Sequence, residues 1–382
     1  IATTPLVAAA NGARTPEKIA TIARQSLWVA FILGSIAGLI LQSMPLLLPL
    51  MGVPANLLPK ASLFLHAIGF GMPAVTMYAA LRGYSEALGH PRPVTVISLA
   101  ALVLLVPLNF VFMYGFGPIP ALGSAGCGFA TAILQWIMFF TLATYIFKAS
   151  AYQKTQVFST WEKMDRYWIE RILKLGLPIG LAIFFVVSIF STAAIILSPW
   201  GETIVASHQI AMSVASQLFM IPMSLAIALT IRVGTYYGEK NWEAMRKVQK
   251  LGLATGTVLA LMTMLLIALF RPEIVAIYTS DHEVSEVAMY LLLFALAYQL
   301  MDAWQISAAG CLRGMQDTKG PMWITMVAYW IVAFPVSIYL ARYTNIGAAG
   351  VWIGLIVGFS VACALLLLRL YNNNKRLSQD YP

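Results

Sequence analysis

The sequence predicts an all-α integral membrane protein with about ten full transmembrane helices. Three observations carry this. Of 382 residues, 60% are hydrophobic and only 10% charged; mean hydropathy is +0.80; and apolar runs of membrane-spanning length recur along the chain at short intervals. A soluble globular protein carries roughly 25% charged residues. Too few are present to cover a water-facing surface, which disfavours soluble enzymes and nucleic-acid-binding modules.

A span needs about 20 residues. The opening stretch IATTPLVAAA is apolar for only about ten residues before Asn11-Gly12, and no basic segment precedes it as in a signal peptide. The chain is therefore expected to start inside a helix. Full spans follow at 25–48 and 62–81, the second ending on Leu81-Arg82-Gly83. The next, 94–115, carries Pro107 and Asn109, and 125–147 follows Gly123-x-x-Gly126. Residues 148–174 are polar with nine charges and read as a surface linker. Beyond it lie 175–198, 204–230 (opening on His208 and Gln209), 251–270, 287–312 (ending on Leu312-Arg313-Gly314), 321–341 with Pro335, and 347–368. Lengths above the minimum allow tilt or a kink. Small-residue spacings at Gly34/Gly38, Gly176/Gly180 and Gly350/Gly354/Gly358 predict close helix contacts. Cys127, Cys311 and Cys363 are far apart with no ligand spacing and read as packing residues.

The net charge of +9 follows from topology. Assigning alternate loops to opposite sides places 21 Lys and Arg on one side and only Lys60, Arg271 and Arg342 on the other. By the positive-inside rule the first side, with the C-terminus, is cytoplasmic. No nucleic-acid partner is needed to explain the charge.

Landmarks also repeat. Leu81-Arg82-Gly83 returns 231 residues later, Pro107 has a counterpart in Pro335, and Gly123-x-x-Gly126 returns as Gly347-x-x-Gly350 at an offset of 224. This order predicts a parallel internal repeat, as in transporters built from two related halves. The pair of helices at 175–230 then lacks a counterpart. Roughly 60 residues are expected to precede the chain in an intact protein of twelve spans.

Of 15 acidic residues, 14 fall in loops or at span ends, and one, Asp302, lies mid-span with no Lys or Arg in the same run. An ionised Asp at a helix centre costs about 2.5–3.5 kcal/mol, so such a residue normally faces a cavity and has a function. Taking up a proton or binding a cation lowers that cost. A permanently neutral Asp making a packing hydrogen bond is the plainer alternative. Tyr298 lies one turn earlier on the same face, where its hydroxyl would add an oxygen to a cation site. Gln299, Trp304, Gln305 and Ser307 complete the most polar buried stretch. Asn109 either lines a cavity or packs between helices, and His208 reads as structural. No HExxH, GxSxG or Walker A sequence occurs.

The segments LPIGLAIFFVVSIF, GETIVASHQIAMSVASQLFMIPMSLAIALTIRVG, YQLMDAWQISAAGCLRGMQDTKGPM, VPLNFVFMYG and PALGSAGCGFATAI resemble the NorM-like branch of the multidrug and toxic compound extrusion (MATE) transporters, from residue 1 to about 370. The resemblance implies two six-helix bundles, with this chain lacking the first helix and most of the second. Residues 1–150 would form the N-lobe, 151–174 a cytoplasmic linker, 175–370 the C-lobe and 371–382 a cytoplasmic tail. It implies efflux of amphipathic or cationic drugs in exchange for H⁺ or Na⁺, from a bacterial inner membrane, with no enzyme activity and no cofactor. A monomer is expected, with the lipid bilayer as its surroundings. Carried over residue by residue, the family's cation-site tyrosine and aspartate fall on Tyr298 and Asp302 and its fifth-helix asparagine on Asn109. Gln299 and Gln305 join Asn109 as candidates for the substrate pathway. One position departs: where the family reads FFE-V, this chain reads FFVV, with Val186 in place of the glutamate. A two-carboxylate site favours Na⁺, whereas a lone Asp can work by protonation, which shifts the expectation towards H⁺. No metal is expected beyond Na⁺ at Asp302. A lipid or lipid-linked-sugar flippase is the main alternative, but it would favour a cationic cavity, and Lys and Arg are absent from the span interiors. A non-transporting membrane protein is the other alternative.

Overall fold

The computed structural model describes residues 2–50, 52–118, 120–160 and 162–380. Among them, ten helices are long and apolar enough to cross a membrane. The chain divides into two compact units, Ile1–Leu173 and Lys174–Pro382.

In the first unit, α1 (Thr3–Gly12) is short and buried almost throughout. The long helices are α2 (Pro16–Ser43), α3 (Leu58–Ala87), α4 (Arg92–Tyr114) and α5 (Gly126–Lys148). Pro16 and Pro59 sit in the first turns of α2 and α3, where a missing N–H costs nothing. Gly34 and Gly38 let α2 lie directly on α3: a Cβ on Gly34 would land on Thr76 and on Pro73, and one on Gly38 on the Gly69 carbonyl. Thr76 donates to the Ala30 carbonyl at 2.7 Å across the same contact.

The polar stretch after α5 is fastened to this unit rather than free. Arg24 of α2 donates to the carbonyls of Val157 (2.6 Å) and Gln156 (2.7 Å) and pairs with Glu162. The Gln25 amide donates to the Lys163 carbonyl at 2.8 Å and its oxygen accepts from the Asp165 N–H at 3.0 Å. Tyr152 and Ser85 share a 2.6 Å hydrogen bond, and Tyr84 bonds Thr155. From Arg166 onward the stretch is already helix.

The second unit contains α6 from Lys174 (the helix spans Arg166–Leu197), α7 (Glu202–Glu239), α8 (Trp242–Ala276), α9 (His282–Gly314), α10 (Lys319–Met326), a π-helical segment Val327–Ala333, α11 (Phe334–Tyr343) and α12 (Ala349–Asp380). Its core gathers Ile189 of α6, Ala211 and Val214 of α7, Ile267 of α8, Leu291, Leu292 and Tyr298 of α9, Tyr329, and Trp352 and Phe359 of α12. α8 bends at Phe270, whose backbone is non-helical two residues before Pro272. The π segment has the same origin: Pro335 cannot donate one turn back, and the Phe334 N–H reaches the Tyr329 carbonyl instead.

The repeated landmarks take the same local form in each unit. Gly123 and Gly347 both adopt left-handed backbone (φ 58° and 60°), and Gly126 and Gly350 then press the next helix onto Phe112 and onto Leu340 respectively. Gly350, Gly354 and Gly358 lie against α11 and the π segment, as their spacing predicts. Gly180 does not follow that expectation. A Cβ there would meet nothing within 4 Å, because Gly180 lies on an exposed face of α6.

Between α9 and α10, Asp317 accepts from Arg369 of α12 at 2.6 and 3.0 Å and from Asn373 at 2.8 Å. Burial pushes its carboxyl up, but the hydrogen bonds from Arg369 and Asn373 outweigh this and hold it below the usual carboxylate range. A depressed folded-state pKa contributes stability that is present above the unfolded value of about 3.9 and is lost as pH falls through the folded value. Thermal melts of detergent-purified protein should therefore show wild type more stable than Asp317→Asn at pH 6, with the gap closing below about pH 4. A gap unchanged down to pH 3 would contradict the pairing.

Candidate cation and substrate site

α9 carries Asp302 deep inside the second unit. Its side chain is 4% exposed, and among the described residues no Lys, Arg or His lies within ion-pair distance. Tyr298 and Asp302 both face a cavity of about 340 Å³ whose walls include Val186 and Phe190 of α6, Met212 and Phe219 of α7, and Phe359 of α12. The wall is apolar except for Tyr298, Asp302, Gln305, Ser191 and Ser216. In such surroundings a carboxylate is desolvated on most sides and interacts strongly with whatever cation enters.

The Tyr298 ring is held rigidly. It lies parallel to Phe359 (centroids 4.7 Å apart, 6° between planes) and stacks on Trp352 at 6.3 Å. Its hydroxyl position relative to Asp302 is thus set by packing. Gln305, nearly one turn beyond Asp302, lines the same cavity, and its carbonyl oxygen accepts from the Tyr329 hydroxyl at 2.7 Å. This leaves the Gln305 amide N–H groups for the cavity.

Gln299 lies on another face of α9. Its amide donates to Thr263 of α8 at 3.2 Å, and the neighbouring Trp304 indole donates to Thr257 at 2.8 Å. Neither residue lines this cavity. Val186, at the position where the family glutamate was expected, does line it. Asn109 belongs to the first unit, where its Oδ1 is buried with no hydrogen-bond partner. It does not line a cavity of about 690 Å³ in that unit, which is walled by Trp28, Phe31, Met77, Phe139 and Phe158 with the Arg24–Glu162 pair. His208 is 1% exposed, its Nδ1 lacks a partner, and its ring meets Trp352 edge-on at 5.5 Å.

Sequence reasoning missed Tyr329 and Phe359. Tyr329 bonds Gln305 at the cavity, and Phe359 lies flat on the Tyr298 ring. A signal for Tyr329 was present, since Pro335 predicts irregular backbone on the preceding turns, and π segments frequently mark functional sites. Phe359 had none, as one Phe among 19 in an apolar sequence. The other departure is the burial of Arg313, which the sequence reading counted among the cytoplasmic charges at the end of its helix. Arg313 is 8% exposed, inside the last turn of α9.

Among the described residues no group of three or more His, Cys, Asp or Glu could hold a metal ion. One carboxylate with nearby hydroxyl and amide groups suits a proton, a monovalent cation or an organic cation.

The MatE family profile matches residues 1–111 and 178–339. The chain belongs to the MatE family. It is 75% identical over 380 residues to the probable multidrug resistance protein NorM of Acinetobacter baylyi, covering 100% of this chain and 85% of that one. It is 37% identical over 388 residues to the multidrug resistance protein PmpM of Pseudomonas aeruginosa (100% and 81% covered) and 37% over 377 residues to NorM of Vibrio cholerae (97% and 82%). The fold matches the crystal structure of the eukaryotic MATE transporter AtDTX14 with a TM-score of 0.89 at 21% identity, covering 99% of this chain and 85% of that one. It also matches a multidrug resistance MATE family transporter in an outward-facing conformation (TM-score 0.84, 21% identity, 99% and 84% covered). This MatE chain is therefore an all-helical, multi-pass membrane protein of a transporter family.

Proposed function

We propose that this MatE chain exports amphipathic or cationic compounds in exchange for H⁺ or Na⁺ by alternating access, with Asp302 as the coupling group and Tyr298 beside it. The observation that carries this reading is a buried carboxylate with no basic partner on the wall of a cavity large enough for a ligand. Left ionised and empty, Asp302 costs about 2.5–3.5 kcal/mol. A proton, a monovalent cation or a cationic drug each relieves that cost, and only one can do so at a time. Mutual exclusion at one carboxylate is what couples the movement of one to the movement of the other. An inward monovalent cation gains about 2.3 kcal/mol per 100 mV, which supports roughly a 50-fold gradient of a neutral substrate at one-to-one exchange.

The names of the relatives, multidrug resistance proteins, support the substrate class. The 21-to-3 split of basic residues supports a cytoplasmic C-terminus in a bacterial inner membrane. In this reading the chain acts as a monomer without cofactor or enzyme activity, residues 1–150 and 175–370 serve as lobes, and Gln305 contributes to the substrate path. With Val186 in place of a second carboxylate, H⁺ is the favoured coupling ion. In proteoliposomes with separately imposed Na⁺ and pH gradients, the pH gradient is expected to drive dye efflux more strongly than the Na⁺ gradient. If neither gradient moved a cationic dye, the antiporter reading would fail.

A further inference from the structure

A second polar site lies eleven residues beyond Asp302 on α9, about three turns and roughly 16 Å along the helix. Arg313 is buried, and its side chain runs back towards the N-terminal end of α9, where Nε donates to the Ala309 carbonyl at 3.2 Å. Arg313 lines a largely apolar cavity of about 150 Å³, together with Ile179 and Ile183 of α6, Met223 of α7, Leu366 of α12 and Thr318. Among the described residues no carboxylate lies within ion-pair distance of it. The nearest acid in sequence, Asp317, is occupied by Arg369 and Asn373. Thr318 is 3% exposed and makes no side-chain capping hydrogen bond, although it begins α10. The repeated Leu-Arg-Gly motif does not itself demand this arrangement. Its other arginine, Arg82, is half-exposed and pairs with Glu86 at 2.8 Å.

A buried, unpaired guanidinium is costly unless something negative joins it. A carboxylate matches its fork with two charge-assisted hydrogen bonds. The remaining wall is apolar, and cavities of about 150 Å³ hold a benzene-sized body. Val186, Phe219, Gln305 and Ile306 line both this cavity and the Asp302 cavity, so a longer body has room to continue past Gln305. We propose that Arg313 and Thr318 form a binding site for an organic carboxylate with an aromatic or similarly compact apolar body. The site differs from the cation site at Asp302 and does not depend on it.

The test uses the full chain in nanodiscs of neutral lipid, with binding of 1-naphthoate measured by calorimetry. Wild type should bind, Arg313→Gln should lose at least tenfold in affinity, and Thr318→Val should lose less. Asp302→Asn should bind as wild type does, which separates this site from the antiport reading. The uncharged naphthalene-1-methanol should show no dependence on Arg313. If Arg313→Gln does not fold, Arg313→Lys, with a point charge in place of the fork, should still weaken binding. Absence of binding to wild type, or equal binding by the Arg313 variants, overturns the proposal. Loss of naphthoate binding when phosphatidylglycerol is added to the discs would assign the guanidinium to a lipid headgroup and overturn it as well.

Discussion

Asp302→Asn is expected to reduce gradient-driven efflux by at least tenfold while leaving the protein as stable as wild type or more so. The two readouts together decide between readings of this residue. Asn has nearly the shape of Asp but neither takes up a proton nor offers a full negative charge to a cation. If Asp302 couples ion to drug, the substitution removes the step in which one displaces the other. It also removes a carboxylate that is 4% exposed without a basic partner, so the folded state loses a desolvation cost rather than a contact. The plainer reading, a neutral Asp held by a packing hydrogen bond, predicts the opposite pair of results: efflux near wild type and a lower Tm. Asp302→Glu should keep part of the activity, because the charge survives with its position shifted by one methylene. Dye efflux from proteoliposomes and a thermal melt on the same preparation check both halves.

Much of the framework was legible in the sequence because the bilayer imposes a simple rule. A run of about 20 apolar residues has to be a helix there. Ten runs therefore became ten membrane-length helices. Asp302 was legible for the same reason, since one acid in an apolar span stands out. The ends of the elements were less legible. α7 continues to Glu239 and α8 to Ala276, well past the apolar runs, because helices extend into polar surroundings once the span has nucleated them. Orientation about the helix axis was hidden too. Gln299 and Gln305 are equally polar in the sequence, yet one turns to Thr263 on α8 and the other to the cavity and Tyr329. Only the packing of α8 and the π segment around α9 separates them. Arg313 shows the same limit. A basic residue next to Gly314 at a helix end reads as a cytoplasmic charge, and its burial follows from α6, α7, α10 and α12 closing around it.

Val186→Glu is expected to make efflux respond to a Na⁺ gradient, lowering the Na⁺ concentration for half-maximal efflux by about tenfold, or 1.4 kcal/mol. The structure makes this a test of position as well as of chemistry. Val186 and Asp302 approach the same cavity from different helices, α6 and α9, with the rigid Tyr298 ring on its wall. A carboxylate at Val186 would place a second negative charge across the cavity from the first. Two like charges in apolar surroundings cannot both stay ionised and unpaired, so the pair must share a proton or trap a cation between them. A cation with two carboxylates and a hydroxyl around it has the oxygen set that hard cations prefer. The same repulsion predicts stronger proton competition, so the Na⁺ effect should shrink as pH falls. Combining Val186→Glu with Asp302→Asn should return Na⁺ dependence to the wild-type level, because one carboxylate is again alone. An unchanged Na⁺ response in Val186→Glu, with the variant folded, would mean that α6 does not deliver this position to the coupling site. The preference for H⁺ would then need a cause other than a missing carboxylate.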